Sequence, residues 1–261
     1  MAAATGARAE EPWQESWQEA AQKPGRWAAP FGGTFNANIT VASDYSYAGI
    51  SNSALGPALQ LGLDYRTPNL IERFPFWLYL SGWGSNTTQP AGQGVEIDVT
   101  AGMKALLLDR RLKLDLGYVR VNYPGFPGAL GYDYGDISIN VDYDLGWATA
   151  SGRLRFSPNS FGNSGWAWNK RGMFRAPLPF LQFDERFSFT GYASLGNLWV
   201  DNYVAYGIPS NDYWYWQVGL VTSAFGLDLT LAYTGTNISA EGCGHTNDCA
   251  SRVFVSLTKV F

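Results

Sequence analysis

From Thr34 to Phe261 apolar side chains recur at every second position, and no apolar run approaches the ~20 residues that a membrane-spanning helix needs. The final segment shows the pattern most cleanly. Val253, Val255, Leu257 and Phe261 share one parity, while Arg252, Ser256 and Thr258 share the other. A period of two is the mark of a strand with one apolar and one polar face. A chain made of such strands must set its apolar faces against a second sheet, as in a soluble sandwich, or against lipid, as in a membrane barrel.

Composition narrows the choice. Only 15% of the 261 residues are charged, against roughly 25% in a soluble domain. Aromatics reach 16%, with 11 Trp and 15 Tyr, and there are 30 Gly. A charge-poor, aromatic-rich chain without spanning helices fits a barrel whose apolar half is spread over alternating positions. The net charge of −4 comes with no basic patch, so no nucleic-acid partner is expected.

The alternation predicts twelve strands, at about 34–47, 57–66, 76–85, 94–107, 111–123, 133–144, 147–157, 165–178, 186–200, 213–224, 227–238 and 250–261. The third is apolar on both parities and has no readable orientation. Asp109-Arg110, Leu145-Gly146 and Phe225-Gly226 supply short turns, whereas 124–132, 157–164, 201–212 and 240–251 are longer and polar. Bacterial barrels sort their connections in this way, with short periplasmic turns and long external loops. A sandwich has no reason to do so. The expected fold is therefore all-β: a closed antiparallel transmembrane barrel over 34–261 with both ends periplasmic, integral to a bacterial outer membrane and surrounded by its lipid.

Residues 1–33 form a separate extension. Met1 to Ala9 lacks the charged start and long apolar core of a signal peptide, yet Ala7-Arg8-Ala9 resembles the end of a cleavage site, so the expectation is open to a precursor that begins upstream. Residues 10–22 can form a short helix with Trp13 and Trp17 one turn apart, before Pro24, Gly25 and Pro30 break it. It reads either as a plug or interfacial helix, or as a tail with a few sticky aromatics. Cys243 and Cys249 close a short loop around His245, and a disulfide is the favoured reading. A metal site is the competing one, and it needs further ligands.

The parity assigns an inward face. Its expected acids are Asp44, Asp64, Glu96, Asp98, Asp115, Asp136, Asp142 and Asp228. Its expected bases are Lys104, Lys113, Arg153, Arg155, Arg171, Arg175 and Arg252. The acids come mainly from the first six strands and many bases from the seventh and eighth. They either face one another across an open lumen, orienting water and solutes, or pair and fill it. On the outward face Tyr45, Tyr65, Tyr118, Tyr143, Trp214, Trp216 and Tyr233 are expected to form girdles at the two membrane interfaces. Lys259 shares that parity, close enough to the strand end to snorkel.

Two segments carry a family resemblance. Residues 43–51, Ser-Asp-Tyr-Ser-Tyr-Ala-Gly-Ile-Ser, followed by 57–65, Pro-Ala-Leu-Gln-Leu-Gly-Leu-Asp-Tyr, resemble the opening signature of the TorF family, proteobacterial outer-membrane barrels assigned a pore function. Thr234-Gly235-Thr236-Asn237-Ile238-Ser239, the Cys pair and the closing strand resemble its end. Family members typically carry a basic residue near Tyr47 or Ala48 that this chain lacks. The resemblance implies an outer-membrane location and a pore function, with no established substrate and no agreed catalytic residues. The polar inward face adds the expectation of a narrow channel for small polar solutes or ions. A terminal Phe261 is similar to the signal read by the barrel-assembly machinery. No cofactor or metal is expected. An enzyme would need a nucleophile and a base, yet His245 is the sole histidine and no Gly-x-Ser-x-Gly elbow occurs. A closed structural barrel, or an adhesin contacting partners through its loops, is the remaining alternative.

Overall fold

The computed structural model describes residues 27–261 apart from Ala29. The expected helix over 10–22 lies outside the described residues. Twelve antiparallel strands close into a barrel. The first six are β1 (Thr34–Ala42), β2 (Ala58–Arg66), β3 (Phe76–Gln89), β4 (Gly92–Leu107), β5 (Leu112–Asn122) and β6 (Tyr134–Asp144). The others are β7 (Thr149–Ser157), β8 (Ala167–Pro177), β9 (Phe187–Val200), β10 (Asp212–Ala224), β11 (Leu227–Thr236) and β12 (Arg252–Val260). Each pairs with its neighbours in sequence, and β12 pairs with β1 from Ser256↔Ala42 to Val260↔Asn38. Residues Trp27–Ala28 extend the sheet beside the start of β1.

The strand boundaries follow the alternation to within a few residues, with one large departure. The first strand stops at Ala42 rather than about 47. Beyond it the chain leaves the wall, and Asp44, Tyr45 and residues 47–50 are buried on both parities.

The exterior is apolar and the interior polar, the inverse of a water-soluble sheet protein. On β2 the outward residues Leu59, Leu61 and Leu63 are each about half exposed, at 50%, 53% and 50%, while Gln60 between them is 1% exposed. A continuous belt of this kind is stable against lipid and a liability in water. The strand that sequence could not orient resolves the same way: Leu78 and Leu80 face out, and Trp77, Tyr79 and Trp83 face in.

The connections sort by end. At one end lie turns of a few residues: 108–111, 145–148 and the two-residue Phe225-Gly226, whose φ values of 55° and 70° are those of a type I′ hairpin turn. The turns at 67–75 and 178–186 are longer and lie at this end too. At the other end lie 43–57, 123–133, 158–166, 201–211 and 237–251. The exception at the long-loop end is the β3–β4 turn at 90–91. There the strands themselves lengthen to 14 and 16 residues.

Candidate functional site

The lumen divides into two unlike halves. At the long-loop end, residues 43–57 leave β1 and fold into the barrel instead of standing above it. Ser46–Tyr47 and Ile50–Ser51 form a two-stranded hairpin. It turns through Ala48 and Gly49, whose φ values are 47° and 80°. A Cβ at position 49 would lie 2.6 Å from Thr236 Cγ2 and 2.7 Å from the Gly235 carbonyl, so only glycine seats this tip against β11.

The hairpin touches the barrel on both sides. Tyr45, fully buried, donates to Glu96 Oε1 on β4 at 2.9 Å and sets its ring edge-on to Trp83. Across the lumen, Asn169 Nδ2 on β8 donates to Tyr47 Oη at 2.7 Å, and Tyr215 donates to Asn169 Oδ1 at 2.5 Å. Asp44 is the knot. Its carboxylate accepts from the Ser51 and Ser53 hydroxyls at 2.6 and 2.9 Å and from Arg252 Nε at 2.6 Å. Arg252 donates onward to the carbonyls of Gly49 and Asp248, both at 3.1 Å. One guanidinium therefore joins β12, the hairpin and the 243–249 loop. Cys243 and Cys249 are disulfide-bonded at the base of that loop and both are buried. An aromatic cluster fills the rest of this half, with Tyr132 stacked on Phe161 at 4.3 Å and Tyr123 and Tyr206 edge-on to Phe161.

These contacts correct the expected girdle in one place. Tyr45 is not at a membrane interface but 0% exposed inside the barrel. Its parity continues that of β1, but the bonds of Asp44 and Tyr45 draw the segment inward. Ala48-Gly49, between Ser46-Tyr47 and Ile50-Ser51, was the sequence signal for a hairpin there. The other aromatics do face outward. Tyr65 and Tyr143 lie toward the short-turn end, and Trp214, Trp216, Tyr118 and Tyr233 toward the long-loop end.

Glu96, Asp98, Asp136 and Arg155 also face inward but are buried at the level of the hairpin. Arg155 lies 3.7 Å from Asp136 on the neighbouring strand. The short-turn half holds the remaining charges. Lys104 pairs with Asp115 at 3.5 Å, and its Nζ sits 4.2 Å from the Tyr79 ring, whose hydroxyl donates to the same Asp115 at 2.8 Å. Lys113 pairs with Asp142, which Arg175 also approaches at 3.9 Å. Asp64 accepts from Ser81 at 2.5 Å. Arg153 and Arg171 stand opposite each other on β7 and β8, and Asp228 faces inward opposite Thr258.

The expected contest between an acidic and a basic wall is therefore changed in geometry. The pairs Lys104–Asp115, Lys113–Asp142, Arg155–Asp136 and Arg175–Asp142 run between adjacent or next-but-one strands, along the wall rather than across the lumen. Register decides this, because β4 to β8 place Lys104, Asp115, Lys113, Asp142 and Arg175 side by side. Tyr79 and Asn169 were not singled out by sequence reasoning, since both residue types are common on inward faces.

With this geometry in view, comparison with known proteins is informative. The profile of a family described as "Bacterial protein of unknown function (Gcw_chp)" matches residues 27–261. The chain belongs to this family. No curated protein matches its sequence. Among solved structures, the COG4313 outer membrane channel from Pseudomonas putida F1 is similar, with 15% identity and a TM-score of 0.50 over 92% of this chain and 99% of that one. LpxR from Salmonella typhimurium gives 11% identity and a TM-score of 0.49, covering 87% of this chain and 99% of that one. The NanC porin gives 11% and 0.48, over 87% and 98%. At such identities the likeness is one of fold, and the fold of this Gcw_chp member is a closed barrel of the outer-membrane type.

Proposed function

We propose that the chain is a narrow outer-membrane channel for small polar solutes or ions, held shut at its long-loop end by the 43–57 hairpin. The observation that carries the reading is the lining of the short-turn half. There Asp64, Lys104, Lys113, Asp115, Asp142, Arg153, Arg171, Arg175 and Asp228 face the lumen beneath an apolar exterior. Small residues keep that wall thin. Tyr79 lies flat over Gly102 and Gly117, where a Cβ would approach it to 2.7 and 2.6 Å. Paired charges and hydroxyls on a wall wet it, and a polar lumen in an apolar sleeve is the physical requirement for passing polar solutes. The fold shared with a channel and the resemblance to the TorF family agree with this reading.

In this reading the long loops face the cell exterior and the short turns the periplasm. The outward Tyr and Trp residues sit at the two interfaces, and Phe261 is the contact for the barrel-assembly machinery. Asp44, Glu96, Asp98, Asp136, Arg155 and Arg252 border the closing hairpin.

Single-channel recording in a planar bilayer tests the proposal. The refolded chain is expected to show rare, brief steps. Arg252→Leu, which removes the guanidinium joining β12 to the hairpin, is expected to open at least tenfold more often. Silence from both, with folding shown by heat-modifiable gel migration, sinks the channel. A closed structural barrel is then the second reading, and the complete burial of Tyr45 between Glu96 and Trp83 is the observation on its side.

A further inference from the structure

The short-turn mouth holds a cavity that neither the hairpin nor the ion-pair ladder uses. Its volume is about 170 Å³, more than ten times the ~15 Å³ that a single water needs. Thr34, Arg66 and Trp77 line it from the inner ends of β1, β2 and β3, Pro68 and Pro75 from the turn that follows β2, and Arg110 from the β4–β5 turn. Among the described residues that line it there is no carboxylate.

Each arginine is held by the fold. Arg66 Nε donates to Thr34 Oγ1 at 2.9 Å, and its guanidinium carbon lies 5.8 Å from the centre of the Trp77 ring. Arg66 and Trp77 thus line the cavity as a cation–π pair. Arg110 is presented by a turn in which Leu108, Asp109 and Arg110 all have positive φ, at 50°, 52° and 70°. Three consecutive non-glycine residues in that region carry backbone strain, and the turn keeps it while aiming Arg110 at the cavity. The turn opposite is fixed by Thr67 N–H to the Leu78 carbonyl at 3.0 Å and Leu106 N–H to the Pro75 carbonyl at 2.9 Å.

We propose that this cavity binds a small organic anion, a carboxylate on an apolar body. The two guanidinium groups take the carboxylate, because planar forked donors match its two oxygens. Trp77, Pro68 and Pro75 take the apolar body. Inorganic anions match the arginines but not the apolar lining, and neutral aromatics match the lining alone. The site stands on the cavity itself and holds whether or not the lumen conducts.

Calorimetric titration of the full chain in detergent with benzoate tests this, with benzyl alcohol as the neutral isostere. Saturable one-site binding of benzoate is expected, weakened by salt and at least tenfold tighter than that of benzyl alcohol. Arg110→Gln, on an exposed turn, is expected to keep heat-modifiable gel migration and to weaken benzoate about tenfold. Arg66→Gln is expected to do the same, and Arg186→Gln, in another turn at the same end, to leave it unchanged. Absence of saturable benzoate binding, equal binding of the two probes, or an Arg110→Gln variant that binds like the parent overturns the proposal. Because the readout is equilibrium binding, failure here leaves the conductance result untouched, and silence in the bilayer leaves this one untouched.

Discussion

At the scale of single residues, the long-loop half of the lumen is held by buried phenols whose ionisation the surroundings oppose. Tyr206, at the end of the short helix Tyr203–Tyr206, and Tyr123, just past β5, are both raised above the ordinary tyrosine value of 10.0. Burial is the first cause for each. The charge of nearby Glu96 adds to it for Tyr123, and neighbouring tyrosines, Tyr213 first, add for Tyr206. The direction fixes the linkage. A group whose folded pKa lies above its unfolded value contributes stability in full below the unfolded pKa, and that contribution is lost as pH rises through the folded value. The prediction is that tyrosinate absorbance of the folded barrel lags that of the denatured chain above about pH 10. Replacing Tyr206 and Tyr123 by Phe should remove two phenols from the lagging fraction. Equal titration of folded and denatured chain at all pH values contradicts this.

At the scale of elements, each strand is a two-sided object, and sequence reads the sides better than the ends. The parity of β2, β4, β6 and β11 was visible because their inward positions are Gln, Asp, Thr or Lys against outward Leu, Ile and Val. For β3 it was not, because Trp77, Tyr79 and Trp83 are aromatic and inward. Each has a reason that only the folded barrel supplies: Arg66 on β2, Gly102 and Gly117 on β4 and β5, and Tyr45 of the inserted hairpin, respectively. The sidedness makes a quantitative prediction. Leu61→Arg, mid-strand on the lipid-facing side of β2, should cost about 2–4 kcal/mol of stability in a bilayer. Leu61→Met at the same position should cost under about 1.5 kcal/mol. Urea unfolding from lipid vesicles measures both, and indistinguishable midpoints would contradict a lipid-facing β2.

At the scale of the whole molecule, the barrel was legible and its contents were not. Strand number, turn sorting and inward charges all follow from local pattern. The inserted hairpin does not, because its anchors are remote in the chain: Tyr45 to Glu96 spans 51 residues, and Asp44 to Arg252 spans 208. The same applies to the ion pairs, whose partners depend on strand register rather than on which half of the chain they come from. A loop packed in this way should behave as part of the barrel. Hydrogen–deuterium exchange is expected to find the amides of residues 45–53 protected as strongly as those of β4, and those of residues 124–131 exchanging at least tenfold faster. Rapid exchange across 45–53 would contradict the packed hairpin.

The pairing of β12 with β1 bears on how such a molecule comes into being. The hydroxyls of Thr40 and Thr258 meet at 2.8 Å across 218 residues of intervening chain. Until that seam forms, the growing sheet has two open borders, each a row of unmet amides and carbonyls ready to pair with a stranger. Closing so long a loop late is also entropically slow. A chain that stops short of β12 leaves both borders without their partner, so the circle of strands can close only when the last of them is in hand.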